Sequence, residues 1–194
     1  MGGDDRLELL FRRRSIGRLT EPAPSDEELE SMLRAAAAAP DHGELRPWRF
    51  VVLEGEGKEA FGAVLAEAYL RRVTAAGGRS EPAKLEKERT KLGRAPLVLV
   101  VSAVRQPSTV VPWYEQLAAT AAATQNACLA ATALGFGSMW RTGDPSYDPR
   151  VKAALGLAGD DAIVGWLYIG SFRDGAAPPP NDPDLDGLLL PWSP

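Results

Sequence analysis

The chain has 194 residues, 45% of them apolar and 25% charged, which is the make-up of one globular domain burying roughly 70% of its surface on folding. A net charge of −4 at pH 7 argues against a nucleic-acid or membrane surface as the main partner. A single cysteine, Cys128, forbids an internal disulfide, and a single histidine, His42, rules out a Cys/His zinc site built by one chain. No apolar run approaches the ~18 residues of a spanning helix. The charged N-terminus lacks a signal-peptide core, so a reducing cytoplasm is the expected location.

In chain order, Leu7, Leu10 and Phe11 predict a helix over 4–14 that Gly17 stops. Ser25 and Glu28 have capping-box spacing and predict a second helix over 26–38, ended by Pro40. A short β-branched strand is expected over Arg49–Leu53, then a helix over 57–76 broken by Gly77 and Gly78. Residues 82–92 read as a charged helix, a mobile flap presenting Lys84, Lys87 and Lys91 to solvent. The apolar run 96–103 is the expected buried strand.

Pro112 opens the longest predicted helix, 112–134, whose expected buried stripe is mostly small: Trp113, Leu117, Thr120/Ala121, Thr124, Ala127/Cys128 and Ala131. A strand over 135–140, a short helix over 148–155 and a last strand over 163–169 follow. Residues from about 175 form a Pro- and Asp-rich tail ending in an apolar cluster, Leu188–Trp192. Nothing marks a second domain, so 1–194 reads as one α+β unit. Four strands make a thin sheet for this length, one that a partner's strand would widen.

Several motifs have ordinary readings. Gly55–Ala60 imitates a dinucleotide loop, but Glu54, Glu56 and Glu59 would repel a pyrophosphate. Asp182–Gly187 imitates the start of a calcium loop but lacks the bidentate Glu. Cys128 reads as a core thiol. Arg12–Ser15 with Arg18 is the sharpest basic cluster. Its arginines either complement a helix C-terminus or turn inward with the Ser15 hydroxyl to grip a phosphomonoester. Trp140-Arg-Thr-Gly143 follows a strand and is either a cross-strand aromatic with a surface arginine or part of an anion or cofactor cradle. His42, in a loop before Pro47 and Trp48, is by itself a hydrogen-bonding surface residue or a ligand contact.

Taken together, Arg13-Arg-Ser-Ile-Gly-Arg-Leu19, Ala39-Pro-Asp-His-Gly-Glu-Leu-Arg-Pro-Trp-Arg-Phe50 and Leu134-Gly-Phe-Gly-Ser-Met-Trp-Arg-Thr-Gly143 resemble the nitroreductase family, closest to its minimal, YdjA-type members. The resemblance covers nearly the whole chain in order. It implies a three-layer α+β fold with a central, mostly antiparallel sheet, in an intertwined homodimer whose tail, about 175–194, packs on the partner subunit. It implies FMN at the subunit interface, NAD(P)H as hydride donor and a small electron-poor acceptor, such as a nitroaromatic or quinone.

By the same resemblance, Arg13, Arg14 and Ser15 would hold the FMN phosphate and ribityl chain. His42 would approach the flavin from the partner, and Trp140, Arg141 and Thr142 would line the isoalloxazine side and also help with the phosphate. No protein side chain is expected to be catalytic, because flavin carries the chemistry. The chain departs from the family at Glu44 and Arg46, where many members have Asn and Gln, and at Ala38, where YdjA-type members tend to have Arg. Another flavin reaction on this scaffold (dehalogenation, flavin fragmentation or enoyl-type reduction) and a non-enzymatic FMN-binding module are the alternatives.

Overall fold

Alternation in two central strands organises the molecule. In the computed structural model, which describes residues 5–192 except Thr109, Asp174 and Ala176, β2 (Leu97–Ala103) is buried along its whole length. Its Val98 and Val100 point into one core, and Leu97, Leu99 and Val101 into another. In β4 (Ala162–Gly170), Trp166 and Tyr168 face the first core while Leu167 and Ile169 face the second. A sheet apolar on both faces must be covered on both.

The sheet runs β1 (Trp48–Glu54), β2, β4, β3 (Gly137–Arg141), with every neighbour antiparallel. On one face lie α3 (Gly55–Ala75) and α6 (Pro149–Ala154), with α4 (Pro82–Thr90) against α3. On the other lie α5 (Trp113–Ala133) and α2 (Asp26–Ala37). The three-layer α+β expectation holds. The first face is filled by large side chains, including Phe61, Leu65, Trp166 and Tyr168. The second is largely alanine, with Ala123, Ala127 and Ala131 of α5 under Leu99 and Leu167.

Local chemistry explains the boundaries. The Ser25/Glu28 capping box forms as expected. Gly135, at φ 86°, ends α5 in a Schellman turn, with Phe136 N–H on Ala131 O at 2.8 Å and Gly135 N–H on Thr132 O at 3.1 Å. That turn delays β3 to Gly137, two residues later than predicted. On α5 the buried positions include Gln116, Ala119 and Ala123, while Trp113, Leu117 and Ala121 are only half-buried. Small residues give the helix almost no amphipathic contrast, so the pattern left its rotation loosely specified.

The flap reading of 82–92 also changes. A side chain at Gly62 of α3 would collide with the backbone oxygen of Arg89, so the two helices meet backbone to backbone. Beyond α4 the chain continues as a 3-10 turn, Lys91–Arg94, with Leu92 buried. Among the described residues no helix is long and apolar enough to cross a membrane.

Candidate functional site

The basic segment after α1 (Asp5–Arg12) is threaded between two edges of the fold. Ser15 forms a parallel bridge with Ser138 of β3, where Ile16 N–H reaches Ser138 O at 3.0 Å. Farther on, Leu19 N–H donates to Arg94 O at 2.8 Å, and Thr20 and Ser171 exchange two backbone hydrogen bonds of 3.0 and 2.8 Å. Gly137 makes this possible, because a Cβ there would strike Leu19 and Phe172.

Each residue expected at the site has a definite place. Arg13 is half-buried on the α5 side, near enough to Cys128 for its charge to oppose the burial that pushes that thiol up. The thiol is therefore an inert core group. Arg14 donates through Nη1 to Pro179 O at 2.6 Å, and Asn181 N–H reaches Phe11 O at 2.7 Å. The start of the tail thus lies on its own chain's first helix. Ser15 is exposed, while Ser138 beside it is buried, its hydroxyl against the Cys128 thiol.

Trp140 lies over β4, its indole N–H on Val164 O at 3.0 Å, in a space kept open by Gly165. Arg141, next along the strand, faces the opposite side of the sheet, and its Nε is buried with no partner. Arg141 and Thr142 share a cavity of about 350 Å³ with Lys87, Lys91, Trp166 and Tyr168, and with two carboxylates, Glu88 and Asp144. His42 lines neither this cavity nor its neighbour; its Nδ1 lies 2.7 Å from Glu115 Oε2 of α5. That bond holds the Glu115 carboxyl below its usual range. The His42 loop is tightly specified, since Glu44 and Arg46, two of the three departures from the family pattern, adopt φ of 51° and 47°.

One chain therefore joins Arg141 to Thr142 and Ser15 to Ser138 and brings Arg13 near Cys128, but turns Trp140 and Arg141 to opposite faces and keeps His42 apart. Sequence reasoning missed Glu115, 73 positions from His42, and the basic wall of Lys87, Lys91 and Arg94. The wall had a signal: those three are spaced i, i+4, i+7, one face of a helix. The interleaved Glu86 and Glu88 disguised it as a solvated mixture. Chemically, the arrangement offers cations, an aromatic wall and unused hydrogen-bonding groups, which suit a phosphate-bearing aromatic ligand.

The Nitroreductase family model matches residues 10–171. The chain belongs to the nitroreductase family. It is 43% identical over 180 residues to YdjA of Escherichia coli strain K12, provisionally named an NAD(P)H nitroreductase, covering 93% of this chain and 95% of that one. Its fold is similar to that of a nitroreductase-like family protein from Bacillus cereus, with a TM-score of 0.79 and 25% identity, covering 100% of this chain and 99% of that one. It is also similar to a nitroreductase from Bacteroides fragilis crystallised with bound FMN, with a TM-score of 0.73 and 22% identity, covering 98% and 100% of the two chains.

Proposed function

We propose that the protein is an FMN-dependent oxidoreductase that passes hydride from NAD(P)H to a small electron-poor acceptor, a nitroaromatic or a quinone. The observation that carries this reading is a buried, unpartnered donor, Arg141 Nε, at the end of β3 beside a cavity lined by cations and aromatic rings. A buried donor without a partner costs roughly 1–3 kcal/mol, so such groups belong where a ligand completes them. The YdjA resemblance and the FMN-bound nitroreductase of the same fold support FMN as that ligand.

When bound, FMN supplies hydride acceptance from the nicotinamide and hydride delivery to the acceptor. This chain's residues bind and orient. Arg13, Arg14 and Ser15 hold the phosphate end; Arg14 uses one of its five donors on Pro179 O and keeps the rest. Trp140, Arg141 and Thr142 border the ring, and His42 contributes from the second subunit, its Nδ1 held by Glu115. A second copy is part of the reading. Leu7, Leu10 and Phe11 of α1 are 40–53% exposed, and Leu188, Leu189, Leu190 and Trp192 of the tail are 75–86% exposed. That is more apolar surface than a solitary chain ordinarily leaves uncovered.

The purified protein is expected to be yellow, to release FMN rather than FAD on acid treatment, to sediment as a dimer, and to turn over NAD(P)H with a quinone. Colourless protein that fails to bind FMN at micromolar concentration overturns the reading.

A further inference from the structure

Next to the Arg141 cavity lies a second, of about 590 Å³, and the two share Lys87, Lys91 and Arg94. The second adds Arg18 and Arg173, and among the described residues lining it none is acidic. This is unusual in a chain with net charge −4. Chance placement of long surface side chains does not explain it, because backbone bonds join the three segments that carry the charges. Leu19 N–H on Arg94 O ties the Arg18 segment to the end of the α4 region, and the Thr20–Ser171 pair ties it to the segment bearing Arg173. Lys91 is held by Glu88 at 2.6 Å, while among the described residues no carboxylate lies within 4.0 Å of the Arg18, Lys87, Arg94 or Arg173 cations. Like charges gathered in a walled cleft focus a positive potential that draws an anion in and costs stability without one.

We propose that this cleft receives the phosphates of the hydride donor and that its cations make NADPH the favoured nucleotide over NADH. The inference rests on the reading above that a nicotinamide dinucleotide supplies hydride. The cleft adjoins the Arg141–Thr142 cavity and its aromatic wall, so one extended ligand can reach both. The 2′-phosphate is what distinguishes the donors: a phosphomonoester adds about −1.5 to −2 charges at pH 7, set against guanidinium and ammonium groups suited to it.

Calorimetry on the FMN-loaded wild-type protein tests this with 2′,5′-ADP and AMP as probes. At about 50 mM salt, 2′,5′-ADP is expected to bind at least tenfold tighter than AMP. The gap is expected to shrink towards 1 M salt, where screening shortens to ~3 Å. Arg18→Ala and Lys87→Ala each lower 2′,5′-ADP affinity roughly three- to tenfold and raise the KM for NADPH at unchanged kcat, with bound FMN retained. Arg18→Lys keeps most of the preference. Lys84→Ala, whose ammonium pairs with Glu81 at 2.7 Å and lines neither cavity, leaves it intact. Equal affinities for the two probes in yellow wild-type protein overturn the inference and leave the FMN reading standing. Loss of FMN in step with either cation also overturns it, since the cleft then holds the flavin's own phosphate. Wild-type protein that takes no FMN defeats the parent reading, and the probe ratio still decides the cleft.

Discussion

The two faces of the sheet are finished to different degrees. The α3/α6 face closes within the chain: Phe61 and Trp166 pack with ring centres 5.9 Å apart, Leu65 is fully buried, and Asp148 caps α6 while pairing with Arg72 at 2.8 Å. The α2/α5 face is floored with alanine, and the apolar side of α1 beside it is left exposed. Large interlocking side chains complete a core on their own, whereas small ones let another backbone approach and leave area for it to cover. The first face therefore completes its core within the chain, whereas the second leaves apolar surface uncovered; Arg13 and Trp140 lie on that second side, Arg141 and Thr142 on the first.

The sharpest test of that contrast is a pair of leucines. Leu65→Ala removes a fully buried side chain from the closed face and is expected to cost about 2–5 kcal/mol in urea unfolding. Leu189→Ala, at a side chain 84% exposed, is expected to cost the isolated chain less than about 0.5 kcal/mol and to act on dimer dissociation instead. Equal costs would mean that the tail belongs to the chain's own core.

Asp148 is the electrostatic counterpart. Burial pushes its carboxyl up, but the hydrogen bonds from Arg72 and from the Arg150 and Val151 N–H groups outweigh it and hold the group below its usual range. Asp148→Ala loses a helix cap and leaves Arg72 without its close partner, an expected cost of about 2–4 kcal/mol. The folded carboxyl binds a proton less readily than the unfolded one. Its contribution is thus complete above the ordinary carboxylate value of about 4 and is lost as pH falls through the lower, folded value. Acid titration of stability in wild type and Asp148→Asn checks the sign: the variant should lack part of the low-pH slope.

Most of this architecture was readable from local pattern, and the exceptions have physical reasons. All the expected helices and strands form, because β2 and β4 are apolar on both faces and the caps of α2 and α5 are written in adjacent residues. What escaped was whatever depends on distant segments meeting. Gln116 and Ala119 displaced Trp113 and Leu117 from the buried stripe because alanines and threonines encode no strong direction. Lys87 and Lys91 looked solvated because nothing near them in sequence announces Arg18 or Arg173, which arrive through backbone bonds at Leu19 and Thr20. The basic motif at Arg13–Ser15 was legible as chemistry, but its split between Cys128 on one side and Pro179 on the other was not.

On the open face, Arg13→Ala is expected to weaken FMN binding roughly 10- to 150-fold, the loss of one charge-assisted phosphate contact at about 1.5–3 kcal/mol. Lys84→Ala is the matched loss of a cation elsewhere, and flavin fluorescence titration compares them. Lys87 does not serve as that control, because it lines both basic cavities. Equal affinities in the two variants would return Arg13 to the role of complementing the end of α1.

The smallest expected effect is the most discriminating about chemistry. If bound FMN carries the reaction, steady-state kinetics with NAD(P)H and a quinone are ping-pong, and His42→Ala costs about tenfold, the size of one hydrogen bond. Glu115→Gln, which keeps a hydrogen-bond acceptor for the imidazole N–H, costs less than that. An obligatory proton donor behaves differently: its removal lowers the rate about 10²- to 10⁴-fold with cofactor still bound. Stopped-flow measurement of flavin reduction and reoxidation at matched FMN occupancy separates the cases, because a contact that only orients the ring shifts both half-reactions modestly. A loss beyond about 10² confined to reoxidation would make His42 the acid that protonates the acceptor. Glu115, bonded to its Nδ1, would then hold the ring so that the other nitrogen carries the transferable proton.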